Sequence, residues 1–196
     1  MEDQTDNGAL PYSLIVLAGG GSRRMKQDKA LLPVGKETLI EYVLKQLEKH
    51  FKATLISVSE SEKFKFLHQQ LVVDEKQGYG PLMGIKSALA VSQHEKNFVI
   101  ACDIPKIPSE VLHKILVQGQ NFDIVVLVSS SGRIEPLFAV YSKSILPQME
   151  ELIEDNIHSL LPLFDMCKTD YMKLDSDSWF KNLNTMQDYE TFLRQL

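Results

Sequence analysis

Six short apolar runs recur along the chain: SLIVLA (13–18), TLISV (54–58), LVVD (71–74), NFVIACD (97–103), FDIVVLV (122–128) and PLFAVY (136–141). They read as solid blocks rather than as alternating apolar and polar positions. A strand with one wet face alternates; a strand covered on both faces does not. The runs therefore predict buried strands of a mainly parallel sheet, with YMKL (171–174) as a further small strand.

Between the runs, apolar residues step at helical spacing. Thr38 and Glu41 form a T-x-x-E capping box beside Leu39, Ile40, Val43, Leu44 and Leu47, which predicts a helix from 39 to about 49. A short helix is expected around 61–69. QGYGPLMG (77–84) leads into another, with Leu82, Ile85 and Leu89 on one face. Ser109 reads as the N-cap of a helix carrying Val111, Leu112, Ile115 and Leu116. Two helices near 144–154 and 159–166 follow, and Thr185 with Asp188 opens the last one.

Strands alternating with helices predict an α/β fold, a Rossmann-like three-layer sandwich with a mostly parallel sheet. The 196 residues contain no linker and no internal repeat, so residues 12–196 read as one domain. Residues 1–11 are polar and are expected to form a disordered arm. In open sheets of this kind, ligands bind beyond the carboxyl ends of the strands. Three features fall there: the glycines after the first strand, Asp74 after the third and Asp103 after the fourth.

Composition narrows the partners. A net charge of −5 excludes a protein that coats nucleic acid, and no apolar run approaches the roughly 20 residues of a membrane span. The N-terminal MEDQTDNGALPYS lacks the apolar core of a signal peptide, and the two cysteines form neither a disulfide framework nor a metal motif. Cytoplasmic localisation is expected. Cys102, inside FVIACD, reads as a small core residue. The histidines show no metal spacing; His158 reads as an isolated surface residue and Trp179 as packing.

The chemistry gathers in LAGGGSRRMKQDKALL (17–32). Gly19, Gly20 and Gly21 offer a bare backbone that can approach a pyrophosphate, and Arg23, Arg24, Lys26 and Lys29 follow. The stretch is not a P-loop, because G-x-x-x-x-G-K-[ST] is missing. It is not a dinucleotide fingerprint either, since Arg24 takes the third glycine position after Gly19 and Gly21. Lys29 suits a phosphate oxygen and can neutralise a departing leaving group, with Asp28 expected to orient it. Asp103 suits Mg²⁺, which usually takes only one or two protein carboxylates and fills its shell with phosphates and water. Asp74 suits ribose hydroxyls or a base edge. Asn182 and Asn184 alternate along FKNLNT and can hydrogen-bond a substrate.

As a set, these segments resemble the molybdenum cofactor guanylyltransferases. LAGGGSRRMKQDKALL is similar to their LAGGxSxRMGxDKxLL, VVDEKQGYGPLMGI to D…GPLxGI, CDIPKIP to CDxPxxP, and IEPLFAVY and NLNTMQDY to xxPLxAxY and NxNTPEDL. The resemblance runs from about 13 to 193. It implies a nucleotide-diphospho-sugar transferase type of fold. It also implies that GTP and Mg²⁺ bind, that the phosphate of molybdopterin attacks the α-phosphorus, and that pyrophosphate leaves.

By matching positions, Leu17, Ala18, Gly19, Lys29, Asp74 and Asp103 would hold GTP, with Asp103 also on the metal. Gly20 and Gly21 would join the phosphate cradle and Arg24 the catalytic charge. Asn182 and Asn184 would meet the acceptor. Proteins that deliver or receive the cofactor are implied partners. Four departures fall on base and acceptor recognition: Lys26 replaces a glycine, Ser59 a base-contacting Asn, Ile134 a histidine, and His158 an arginine implicated in pterin binding. Two rivals stay open: a cytidylyl or sugar-phosphate nucleotidyltransferase, and a GTP-binding interaction protein without turnover.

Overall fold

Strand β1, Leu10–Leu17, lies between β4 (Phe51–Val58) and β6 (Lys96–Ala101) and pairs parallel with both. These elements belong to a computed structural model that describes residues 10–19, 28–174, 176 and 179–196. The seven-stranded sheet runs β5-β4-β1-β6-β8-β7-β9, with β5 at Gln70–Val73, β7 at Ile124–Val128, β8 at Ile134–Ser142 and β9 at Thr169–Lys173. Only β8 runs antiparallel to its neighbours β6 and β7. The expected mostly parallel, helix-covered α/β sandwich is what forms.

Solid apolar strands result because both faces are covered. Leu14 and Val16 point to one core with α1 (Leu39–Leu47) and α3 (Ser109–Gly119). Ile15 and Leu17 point to the other, with α2 (Pro81–Val91), α4 (Leu146–Glu154) and α5 (Leu163–Met166). Each fully buried Leu, Ile or Val side chain contributes about 1.5–3 kcal/mol, so these two layers fix the sheet order. A third cluster joins Leu32, Val34, Leu39, Leu183, Tyr189 and Phe192, docking α6 (Met186–Leu193) on the first layer. Both expected capping boxes are present, Thr38 with Glu41 and Thr185 with Asp188.

Several local expectations are corrected. Residues 61–69 form only a 3-10 turn, Glu62–Phe64: Phe64 and Leu67 pack on the core while Phe66 is exposed, an apolar stretch too short to sustain a helix. The helix near 159–166 is four residues long, because Pro162 takes its N-cap and the helix starts behind it. Pro108, not Ser109, occupies the N-cap of α3. Leu10 and Pro11, expected in the arm, belong to β1. A small hairpin, β2 (Pro33–Val34) with β3 (Glu37–Thr38), turns on Gly35 at φ 64°; two-residue strands are too short to show a period in sequence. Among the described residues, no helix is long and apolar enough to cross a membrane.

Candidate active site

The parallel strands β1, β4, β5 and β6 end on one rim, and backbone bonds extend the ladder one step past them. Ala18 N–H donates to Ser57 O (2.9 Å), Asp74 N–H to Val58 O (3.2 Å) and Cys102 N–H to Leu17 O (3.1 Å). Residues 18–19, 74 and 102–103 are therefore placed by the sheet itself. They open into a cavity of about 460 Å³ lined by Leu17, Ala18, Gly19, Lys29, Asp74 and Asp103, together with Asn182 and Asn184. The convergence expected from the strand ends is present.

Glycine at position 19 is required by proximity. A Cβ there would stand 2.9 Å from Ser59 N and 3.3 Å from the Val58 carbonyl carbon, so the backbone passes β4 at a distance only glycine permits. Gly84, in the second turn of α2, is likewise tight: a Cβ would meet Ser57 Oγ at 2.6 Å and Asp74 Oδ1 at 3.4 Å. This closeness lets the N-terminus of α2, with Gly80 and Pro81, reach the cavity. The first turn of α2 carries no acidic residue of its own, and the Asp74 carboxylate stands against Gly84.

Lys29 is the hub. It sits in a 3-10 turn, Lys29–Leu31, that Asp28 caps by accepting from Ala30 N–H at 3.3 Å. Lys29 Nζ lies 2.9 Å from Asp103 Oδ2 and donates to Asn184 Oδ1 at 3.1 Å. Asp28 therefore shapes the turn that carries Lys29, while Asp103, not Asp28, is the partner of its ammonium. Burial pushes the Asp28 carboxyl above the usual carboxylate range, partly offset by its bond to Ala30. Asp103 also accepts Leu183 N–H on its own carbonyl at 2.9 Å, which ties the segment 182–184 to the rim.

Asn182 and Asn184 face the cavity while Leu183 between them is buried against α6. The alternation seen in sequence holds, tightened by an Asn184 N–H to Asn182 O bond of 2.9 Å. Asn182 Oδ1 is buried and has no hydrogen-bond partner among the described residues. Ser59 is exposed and does not line the cavity; it stands one residue past the end of β4 at Val58. Gly20, Gly21 and Arg24, together with Arg23 and Lys26, lie outside the described residues.

Two further expectations are settled. Cys102 is buried and its thiol pKa is raised, chiefly by that burial, which suits a core residue and not a nucleophile. Trp179 packs on Phe138 and Phe180, with ring centroids 5.7 and 5.3 Å away. His158, by contrast, is not isolated. Its ring stacks on Tyr79 at 4.3 Å, with Nδ1 3.1 Å from Gly78 O and Nε2 3.2 Å from Asn156 Oδ1. Nothing in the sequence links positions 79 and 158; the packing of α4 beside α2 brings them together.

Glu135 is a cavity residue that sequence reasoning missed. It is 8 % exposed and accepts from Arg133 Nε at 2.5 Å. The register between β7 and β8 breaks between Val126, opposite Ala139, and Leu127, opposite Glu135. Three residues of β8, 136–138, bulge away from β7, and the bulge turns Glu135 and Pro136 toward the cavity. The only available signal was an acid and a proline inside an otherwise apolar strand.

Asp74 carries a pH signature. Burial raises its pKa and the Ser57 hydroxyl, 3.3 Å away, works against that. A carboxyl whose folded-state pKa exceeds its unfolded value stabilises the fold below the unfolded pKa and loses that contribution as pH rises through the folded one. Asp74→Asn, which carries no charge, should therefore raise the melting temperature of the ligand-free protein at about pH 7 and give no gain at about pH 3. Thermal melts across that range check it; a variant less stable than the parent at neutral pH refutes it.

A family model described as "MobA-like NTP transferase domain" matches residues 14–165, most of the chain and the carboxyl ends of all four strands at the rim. The chain belongs to the MobA-like NTP transferase family. A probable molybdenum cofactor guanylyltransferase of Carboxydothermus hydrogenoformans is 33% identical over 189 residues, covering 93% of this chain and 95% of that one. One from Pelotomaculum thermopropionicum is 34% identical over 89% of this chain and 88% of its own. Among solved structures, molybdopterin-guanine dinucleotide biosynthesis protein A of Archaeoglobus fulgidus superposes with a TM-score of 0.79 at 22% identity, covering 93% of this chain and 97% of that one. A cytidylyltransferase of Thermus thermophilus has a TM-score of 0.71 at 16% identity, over 94% of this chain and 100% of its own, a likeness of fold. For a MobA-like NTP transferase, the cavity on the carboxyl rim is where nucleotide chemistry is to be sought.

Proposed function

We propose that the chain transfers GMP from GTP to the terminal phosphate of a molybdopterin-type molybdenum cofactor, releasing pyrophosphate. The observation that carries this reading is the placement of Lys29 Nζ between Asp103 and Asn184, in a cavity that the bare backbone at Gly19 also lines. The names of its relatives supply the nucleotide and the acceptor.

In this reading the Ala18–Gly19 backbone and the glycines after it take the phosphate chain, and Arg24 adds charge. Lys29 neutralises the charge that develops on the departing pyrophosphate. Asp74 orients the ribose or base, and Asn182 and Asn184 hold the acceptor. An acceptor phosphate oxygen forms the new bond to the α-phosphorus as the bond to the bridging β-phosphate oxygen breaks. A phosphate is already anionic near neutral pH, so no general base is needed and positioning carries the step.

Mg²⁺ fits this donor set. Among the described residues no group of three or more metal-ligating side chains exists, and Asp103 is a single carboxylate at the rim, 18% exposed and already facing a cation. That suits an ion that completes its shell with substrate oxygens. Asp103 would hold it, and it would supply charge neutralisation to the phosphates.

Calorimetric titration with GTP, CTP, ATP and UTP, each with Mg²⁺, followed by pyrophosphate release on adding acceptor, tests the reading. Tightest binding of GTP with turnover is expected. Preference for CTP moves the chain to a cytidylyl enzyme; GTP binding without turnover makes it a binding protein. No binding of any nucleotide leaves the glycines a mere turn.

A further inference from the structure

Helix α2 reaches the cavity at the end of a loop that is fastened at both ends. The loop runs from Asp74, one step past β5, to Gly80, the N-cap of α2. At its start, Glu75 N–H donates to Ser87 Oγ at 3.2 Å, and Lys86 Nζ donates to Glu75 Oε2 at 2.6 Å. Both partners lie on α2. Its far end has glycines on either side of Tyr79, both at positive φ: Gly78 at 93° and Gly80 at 59°. Such residues are pivots, because glycine turns there at no steric cost. What holds Tyr79 therefore decides where Gly80 and Pro81, which line the cavity, come to rest.

Tyr79 is held from α4. That helix packs on α2, and Lys86 lies 3.8 Å from Glu150 across the pair. Past the end of α4 the chain turns at Asn156, whose φ is 56°. Asn156 N–H bonds Ile153 O at 3.1 Å and Ile157 N–H bonds Leu152 O at 2.8 Å, which closes the helix and sends the chain toward the loop. The His158 ring then stacks on Tyr79 with centroids 4.3 Å apart. Its Nδ1 is 3.1 Å from Gly78 O; a carbonyl only accepts, so Nδ1 carries a hydrogen and donates. Nε2 faces Asn156 Oδ1 at 3.2 Å, and Tyr79 OH donates to that oxygen at 3.3 Å. The imidazolium makes this pair as it stands, and the neutral ring makes it with the amide turned over. Tyr79 also packs against the core shared by α2 and α4.

We propose that His158 is a positioning residue for nucleotide binding: clasped to Gly78, Tyr79 and Asn156, it fixes the loop that presents Gly80 and the start of α2 to the cavity. The inference rests on the nucleotidyltransferase reading and adds to it a device that sets one wall of the site. The resemblance gives this position an arginine for the acceptor. Here the ring stands behind the wall: Gly80 and Pro81 line the cavity, and Tyr79 and His158 do not. The wall is on the side of Asp74, whose Oδ1 would lie 3.4 Å from a Cβ on Gly84, and Asp74 is assigned above to the nucleotide.

The test uses His158→Ala, His158→Asn, Tyr79→Leu and the double variant Tyr79→Leu with His158→Ala, each in the full-length protein. Asparagine keeps a donor where Nδ1 stands but removes the ring. His158→Ala should weaken GTP binding, read by calorimetry, about five- to tenfold, with kcat and the acceptor KM within about twofold of the parent. Its melting temperature should stay close to the parent's, and hydrogen exchange at the Tyr79, Gly80 and Gly84 amides should speed up in the ligand-free protein. His158→Asn should bring GTP affinity back to within about threefold of the parent. The two rings act through one loop, so the double variant should bind GTP no more weakly than the weaker single variant. A raised acceptor KM with unchanged GTP affinity assigns His158 to the acceptor and overturns the proposal. So does a fall in melting temperature with all the constants together, which makes the clasp merely structural. Unaltered amide exchange or GTP affinity in His158→Ala, no recovery in His158→Asn, or additive losses in the double variant also overturn it. Each of these is read against a parent that binds GTP; a parent that binds no nucleotide refutes the nucleotidyltransferase reading, and the proposal falls with it.

Discussion

Replacing Asp103 with Asn is expected to lower turnover at saturating GTP by about a thousandfold and to leave the residual rate unresponsive to added Mg²⁺. The substitution preserves shape. Its amide oxygen can still accept from Lys29 Nζ, which now stands 2.9 Å from Asp103 Oδ2, so the fold should lose no more than about 1–2 kcal/mol. Steady-state pyrophosphate release against Mg²⁺ concentration, with a thermal melt of the same preparation, separates the two effects. A variant with full, Mg²⁺-dependent turnover removes Asp103 from the chemistry. Because Asp103 also fixes Leu183 through its backbone carbonyl, which the mutation leaves in place, a collapse of the 182–184 wall is not expected to contribute.

Lys29→Ala is the second large effect, and it differs in kind. The ammonium serves one carboxylate and one amide oxygen in the ligand-free protein, with both ion-pair partners under a fifth exposed. Removing it leaves Asp103 without its cation in a mostly desolvated place. Stability should fall by about 1–3 kcal/mol, between the limits for exposed and buried pairs. Catalysis should fall by about 10²–10³ in kcat/KM for GTP, the usual loss of one preorganised charge at a developing anion. Lys29→Arg should not restore it, because the slot between Asp103 and Asn184 fits a point charge, not a planar fork. Single-turnover kinetics with denaturant unfolding of the same variants measures both. Unchanged affinity and rate in Lys29→Ala eliminates the phosphate-clamp role.

Much of this architecture is written locally. The capping boxes at Thr38 and Thr185 need only four consecutive residues each, and both form as read. The strands behind the rim are apolar blocks because helices cover both faces, a condition each block carries within itself. Gly19, Asp74 and Asp103 were placed at one rim by the rule that parallel strands share a carboxyl end, and the cavity contains all three. Where the local signal is weak the local structure is short: 61–69 carries only Phe64 and Leu67 toward the core, and Pro162 cuts its helix to four residues.

The sequence by itself determined the layers, the strands and the rim residues, since periodicity and strand direction are properties of contiguous segments. Only the tertiary structure decided who meets whom. Lys29 lies next to Asp28 in the chain yet spends its charge on Asp103, 74 residues away, because the Asp28 carboxylate is turned back to cap its own turn. Ser59, one residue past its strand, faces solvent, while Glu135 is brought inward by a bulge that no pattern of apolar positions announces. Tyr79 and His158 stack because α2 and α4 pack on one face of the sheet. Such pairings follow from the order of strands and the closure of layers, which are settled by burial summed over the whole chain.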